Sequence, residues 1–217
     1  MRIYFGLNAA KALSYKAIHI PLIQIAPYSS KNPLIKKAFS KFYEYSHIIL
    51  TSRDSLKIFL KRAVKDFGVT KRELKTKIYI LIGQTTGNRL EQFGNFHCLY
   101  PDQPTSEEVT VLIKRIAHPN NVFLYLKSAI SRPVIENFLR QSNYRHTSLA
   151  HYTVLPNKKI RLPQTGKIKE MIFASPSAVD IFKRLYSGER SSHIKYYGIG
   201  PITEKRLRQL VDKKNLL

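Results

Sequence analysis

The chain holds one cysteine, Cys98, in 217 residues. A single thiol makes no internal disulfide and supplies no cluster for a metal, which suits a reducing compartment; its expected role is that of a small hydrophobe filling a core. Long apolar runs are missing as well. No stretch approaches the ~18 residues a membrane span needs, and the opening MRIYFGLNAAKALSYKAIHI has neither the apolar centre nor the cleavage site of a secretory signal. These absences predict a cytoplasmic protein with no membrane partner. Acidic residues are the third scarcity: 14 Asp and Glu stand against 37 Lys and Arg, a formal charge of +23. That excess attracts nucleic acid, an anionic membrane surface or a polyanionic small molecule, and charge alone does not choose among them. The basic residues are spread through KNPLIKKAFSK, KIFLKRAVK, KRELKTK and VDKKNLL. Most of them therefore read as solvated helix faces.

Motif-borne chemistry is equally scarce. There is no HExxH, no Cys/His metal cluster and no GxxxxGK[ST] phosphate loop, and the turn GIGPIT lacks the spacing of a GxGxxG dinucleotide site. SPSAV is not a nucleophile elbow, Ser175 has no base placed by the sequence, and the seven histidines are dispersed.

What the chain does have is a regular alternation of strand-like and helix-like segments. RIYFGL and AIHIPLIQIA read as strands, and Asn32 before Pro33 reads as a capped helix start, with Leu34, Ile35, Phe39 and Phe42 following at helical spacing. HIILTSRDSLKIFLKRAVKDF is a buried strand entering a helix with Leu56, Phe59, Leu60, Val64 and Phe67 on one stripe. KIYILIG is a strand feeding a short helix that Gly94 should end, and Thr105 with Glu108 suggests a capping box. NVFLYL, SLAHYTVL, MIFASPS and HIKYYGIG continue the strands, with helices between them and PITEKRLRQLV after the last. Such alternation argues for the α/β class, parallel sheets flanked by helices.

The chain also repeats itself. ILIGQTTGNRL from Ile80 and YYGIGPITEKRL from Tyr196 align at Ile82/Ile199, Gly83/Gly200, Thr86/Thr203, Arg89/Arg206 and Leu90/Leu207. Upstream, IILTSRDSL and MIFASPSAV align at Ser52/Ser175. The same order in both halves predicts two similar α/β lobes. All four motifs fall where a strand turns into a helix, the place where parallel sheets bind ligands. A helix start offers free amides and a positive dipole end, Ser or Thr adds a hydroxyl, and glycine admits an anion to the backbone. Singly, each residue reads more simply as a cap or a bend. Jointly, on a very basic chain, they point to a site that grips acidic groups from two sides.

The ordered set IILTSRDSL, ILIGQTTGNRL, LKSAISRPVIENFLRQ, HYTV, IFASPSAVDIF and YGIGPITEKRL resembles the uroporphyrinogen-III synthase family over nearly the full chain. The resemblance implies two α/β lobes, the second inserted into the first: residues 1–22 with 156–217, and 30–148, joined by a two-stranded β link at 23–29 and 149–155. It implies a monomeric hydro-lyase of haem biosynthesis that cyclises hydroxymethylbilane to uroporphyrinogen III with inversion of ring D and loss of water, using no cofactor or metal. It makes Tyr152 the candidate proton donor. It places Ser52, Gly83, Thr86, Ser175, Ser177, Gly200 and Thr203 around the substrate's carboxylates, with Arg132 as a further basic contact. Two departures stand out: YFGLNAAKA lacks the family's frequent Thr-Arg, and Lys127 and Ser128 replace its frequent Arg-Gly. The rival reading is a helix-hairpin-helix nucleic-acid binder built on GIGPITEKRL, but that module needs a helix before its glycines, where this sequence predicts strands. A two-lobed periplasmic-type solute binder is a third reading, weakened by the missing export signal.

Overall fold

The computed structural model describes residues 1–161, 163–185 and 193–209; the basic run VDKKNLL and the end expected of the last helix, Leu210 and Val211, lie outside them. Strands are β1 (Arg2–Phe5), β2 (Ile18–His19), β3 (Ile23–Pro27), β4 (His47–Leu50), β5 (Ile78–Leu81), β6 (His97–Leu99), β7 (Val122–Ser128), β8 (Arg145–Pro156), β9 (Glu170–Phe173) and β10 (Lys195–Gly198). Helices are α1 (Ala9–Ser14), α2 (Pro33–Ser40), α3 (Arg53–Phe67), α4 (Lys71–Lys75), α5 (Gln84–Glu91), α6 (Ser106–Ile116), α7 (Val134–Gln141), α8 (Pro176–Leu185) and α9 (Pro201–Arg208).

One sheet has the order β10-β9-β1-β2 and the other β3-β8-β7-β4-β5-β6. β1 pairs with β2 and β9, β9 with β10, β4 with β5 and β7, β5 with β6, and β7 with β8, all parallel. The protein is thus a mixed α/β fold with helices flanking parallel sheets. Two compact units result, Met1–Ile25 with Val154–Leu217, and Ala26–Thr153, and the chain passes between them within β3 and again within β8.

Within Ala26–Thr153 the strands β4 and β5 and the first five residues of β7 are apolar at every position but His47, because both faces of the sheet are covered, as parallel sheets require. Successive side chains point to opposite faces. Ile48, Leu50, Tyr79, Leu81, Leu124 and Leu126 join one core with Leu56 and Phe59 of α3, whereas Ile49, Ile80, Phe123 and Tyr125 join a second with Val109, Ile113 and Ile135 of α6 and α7. The other unit repeats the plan: Ile3, Phe5, Met171 and Phe173 face Val179 and Phe182 of α8, and Tyr4 and Ile172 face Ala12 of α1.

Several local expectations need correction. AIHIPLIQIA is two strands, not one: Pro21 has no N–H to continue a ladder, and β2 and β3 belong to different sheets. Leu34 and Val64 lie outside their predicted stripes, 67% and 50% exposed, while Ala63 and Arg62 are buried on α3 instead. The short α5 ends at Glu91, ahead of Gly94, which takes φ +136° in the turn beyond. At α6, Thr105 Oγ1 accepts the Glu108 N–H, but the reciprocal capping box forms at Thr70 and Glu73, opening the unexpected α4. Cys98 is half-buried and packs against the α3-side core, as a small hydrophobe should.

Candidate active site

Register sets the geometry. Leu50 lies beside Leu81 and Leu126, so β4, β5 and β7 reach one edge together; Phe5, Phe173 and Gly198 do the same for β1, β9 and β10. The turns beginning at Thr51, Ile82 and Ala129 therefore share the carboxyl edge of one sheet, and those at Gly6, Ala174 and Ile199 share that of the other. Each unit presents its own edge, and each edge carries one copy of the repeated Ser and Gly turns.

On the larger sheet, Ser52 is the N-cap of α3, and its Oγ accepts the Ser55 N–H at 3.0 Å. The same oxygen stands 3.0 Å from the Tyr152 Oη, joining residues one hundred positions apart. An irregularity in β8 makes this meeting possible. Lys127 pairs with Ala150 but Ser128 pairs with Tyr152, so His151 is skipped in the register. Such a bulge re-aims side chains at a sheet edge. Tyr152 is only 6% exposed. Burial raises the pKa of its phenol and nearby Asp54 adds to the rise, while the Ser52 and Ser128 hydroxyls pull it back; the group keeps its proton through neutral pH.

Beneath the pair lies a polar relay that no sequence motif announced. Arg62 Nη1 donates to His151 Nδ1 at 3.3 Å, and since a guanidinium only donates, Nδ1 is the acceptor and Nε2 carries the hydrogen. Nε2–H then donates to Ser55 Oγ at 2.7 Å, and the Ser55 hydroxyl donates to the Leu126 carbonyl at 2.9 Å. Arg62 also donates to the Tyr28 carbonyl at 2.6 Å. His151 has no exposed surface, and burial with the adjacent Arg62 charge pushes its pKa down to about 3, so it is neutral.

The remaining predicted residues fall as follows. Gly83 and Gly200 are the N-caps of α5 and α9. Gly200 has φ +83°, a left-handed conformation that favours glycine, whereas Gly83 is extended at 178°. Thr86 and Thr203 are each three residues inside their helices and buried, as are Leu90 and Leu207 one turn further on. Part of the sequence repeat thus records inward-facing helix positions. Ser175 Oγ accepts the Ala178 N–H at 3.3 Å and lies 3.1 Å from Ser177 Oγ, both side chains half-buried at the start of α8. Arg132 is exposed and grips Glu107 with two bonds of 2.6 and 3.1 Å, which hold the Glu107 carboxyl below its ordinary range. Lys127 pairs with Glu136 at 2.5 Å.

The structure brings together Ser52 and Tyr152 on one edge and Ser175 with Ser177 on the other. The glycines that follow strands β5 and β10 do not follow helices, so the hairpin reading of GIGPITEKRL is not supported. Together these features define a parallel α/β protein with hydroxyls and helix N-termini at the carboxyl ends of its strands. A family model described as HEM4, Uroporphyrinogen-III synthase HemD, matches residues 7–216. The chain belongs to the uroporphyrinogen-III synthase family, enzymes of haem biosynthesis that act on a small tetrapyrrole. Among solved structures, uroporphyrinogen-III synthetase from Helicobacter pylori is similar at 14% identity, covering 99% of this chain and 91% of that one, with a TM-score of 0.69. A mutant uroporphyrinogen III synthase from the extremely thermophilic bacterium Thermus thermophilus is similar at 19% identity, covering 96% and 88%, with a TM-score of 0.65. At these identities the likeness shows the fold. No curated protein matches the chain significantly. Among the described residues no helix is long and apolar enough to cross a membrane.

Proposed function

We propose that the chain acts as a monomeric cytoplasmic hydro-lyase that closes hydroxymethylbilane to uroporphyrinogen III. The observation that carries this reading, beside family membership, is the protonated Tyr152 phenol held at Ser52 on a carboxyl edge lined by helix starts. The substrate's hydroxyl leaves as water when a proton reaches it, and the electron pair of the adjacent pyrrole forms the azafulvene. Ring D attacks that carbon through its substituted position, and the spiro intermediate fragments and recloses with the ring inverted. A proton lost from the ring carbon at closure balances the one spent on the leaving hydroxyl. Tyr152 passes its proton to that oxygen as the C–O bond breaks, and the proton released at ring closure restores the phenol; its raised pKa makes the transfer costly, so its contribution is modest. Most of the selectivity then comes from holding the bilane folded for attack.

The substrate's eight carboxylates suit the free amides and hydroxyls at Ser52, Gly83, Ser175, Ser177 and Gly200. Thr86 and Thr203, enclosed in the first turns of α5 and α9, shape those turns from within. Arg132 becomes available to a carboxylate by releasing Glu107, an exposed pair worth about 0–1 kcal/mol. The test is to supply freshly made hydroxymethylbilane and separate the oxidised product isomers. Isomer III in excess of the isomer I that forms spontaneously supports the reading, and isomer I alone sinks it.

A further inference from the structure

Ser55, His151 and Arg62 have no assigned contact with substrate, yet they lie directly behind the groups that do. We infer that these three residues form a positioning set that fixes the Tyr152 phenol against the Ser52 hydroxyl. The inference rests on the reading of Tyr152 as the group that meets the leaving oxygen.

The geometry is specific. One buried hydroxyl, that of Ser55, joins three elements: its own helix α3, the end of β7 through the Leu126 carbonyl, and β8 through His151 Nε2. Each of those elements carries one polar group of the edge, respectively Ser52, Ser128 and Tyr152. Ser55 also donates its backbone N–H to Ser52 Oγ, so the same residue touches the hydroxyl that meets the phenol and the strand that bears it. Arg62, two turns along the same face of α3, donates to His151 Nδ1 and to its carbonyl at 3.5 Å, which fixes both the ring tautomer and the backbone where the register skips. A buried cation and a buried imidazole are costly, and apolar side chains of similar volume would hold a core as well. What apolar residues lack is direction, and a proton donor must be held to within a fraction of an ångström.

The experiment labels tyrosine ring carbons, assigns the Tyr152 Cζ resonance by its loss in Tyr152→Phe, and follows it in Ser55→Ala. The expected result is a shifted Tyr152 signal in a folded protein, with kcat lower by about tenfold and KM changed by less than about twofold. His151→Gln, which keeps a donor toward Ser55, should retain more kcat than His151→Leu. In a double-mutant cycle, Ser55→Ala should cost far less once Tyr152 is already Phe. An unmoved Tyr152 signal in folded Ser55→Ala, or equal losses of kcat with and without the phenol, overturns the inference. Full activity in Tyr152→Phe overturns the proposed mechanism instead, and the resonance then judges the positioning set alone. If Ser55→Ala does not fold, Ser55→Cys keeps the volume with a weak donor and is read in the same ways.

Discussion

The Tyr152 hydroxyl meets Ser52 because a register shift in one strand and a helix cap in another converge on one edge. Removing only the phenolic oxygen in Tyr152→Phe should leave the ring packing and the melting temperature nearly unchanged and lower the rate of isomer III formation about a hundredfold, the lower range for a lost general acid. Ser52→Ala should separate the two roles differently, since it also removes the α3 cap and so costs about 1 kcal/mol of stability in thermal unfolding. His151 carries a pH prediction. Its pKa falls from the ordinary 6.5 to about 3 in the folded protein, so between those values the unfolded chain binds a proton that the folded one refuses. The stability His151 contributes is present above about pH 6.5 and is lost as pH falls towards 3, at up to about 1.4 kcal/mol per pH unit. Melting temperatures between pH 7 and 3 should therefore fall less steeply in His151→Gln than in the parent protein. Tyr152 and Ser52 were legible as motif positions in the sequence. His151 was not, because a histidine beside a tyrosine in a strand has no spacing to mark it, and the Ser55 and Arg62 that give it meaning look like the polar side of an amphipathic helix.

At the scale of elements, two glycines in one turn do different jobs. A Cβ at Gly198 would lie 2.6 Å from the Glu204 backbone nitrogen, so α9 sits on the end of β10 at a distance only glycine allows. A Cβ at Gly200 meets nothing within 4 Å, and the cost there is the φ of +83° alone. Gly198→Ala should destabilise by about 1–3 kcal/mol through overpacking, and Gly200→Ala by about 1 kcal/mol through backbone strain. Denaturant unfolding that ranks the two the other way round would mean α9 is not seated as described. Strand-helix alternation made most elements readable in the sequence, since continuous apolar runs such as IIL and YIL announce a doubly covered parallel sheet. What stayed hidden has physical causes. The three-residue β6 and five-residue α4 are too short for any period to show, and the split at Pro21 depends on which sheet each half joins.

For the whole molecule the leading quantity is a charge of +23. On α2 and α3 the lysines at 36, 37, 57, 61 and 65 are exposed, the solvated faces their spacing suggested. A diffuse positive field of this kind raises the local concentration of a polyanion without contacting it, and salt screens the effect once the screening length falls from about 8 Å at 0.15 M towards about 3 Å at 1 M. Carboxylates bound at helix starts and hydroxyls are desolvated and screened much less. The two contributions therefore separate in kinetics. Raising salt from about 0.05 to 0.5 M should increase KM for hydroxymethylbilane by about threefold or more while kcat changes by less than about twofold, because screening weakens capture and leaves the bound geometry intact. Replacing the exposed Lys57, Lys61 and Lys65 of α3 by Gln should flatten that dependence without altering the ratio of isomer III to isomer I at saturation. A ratio that moved with those charges would place α3's outer face in the chemistry itself, contrary to a site built at the strand ends.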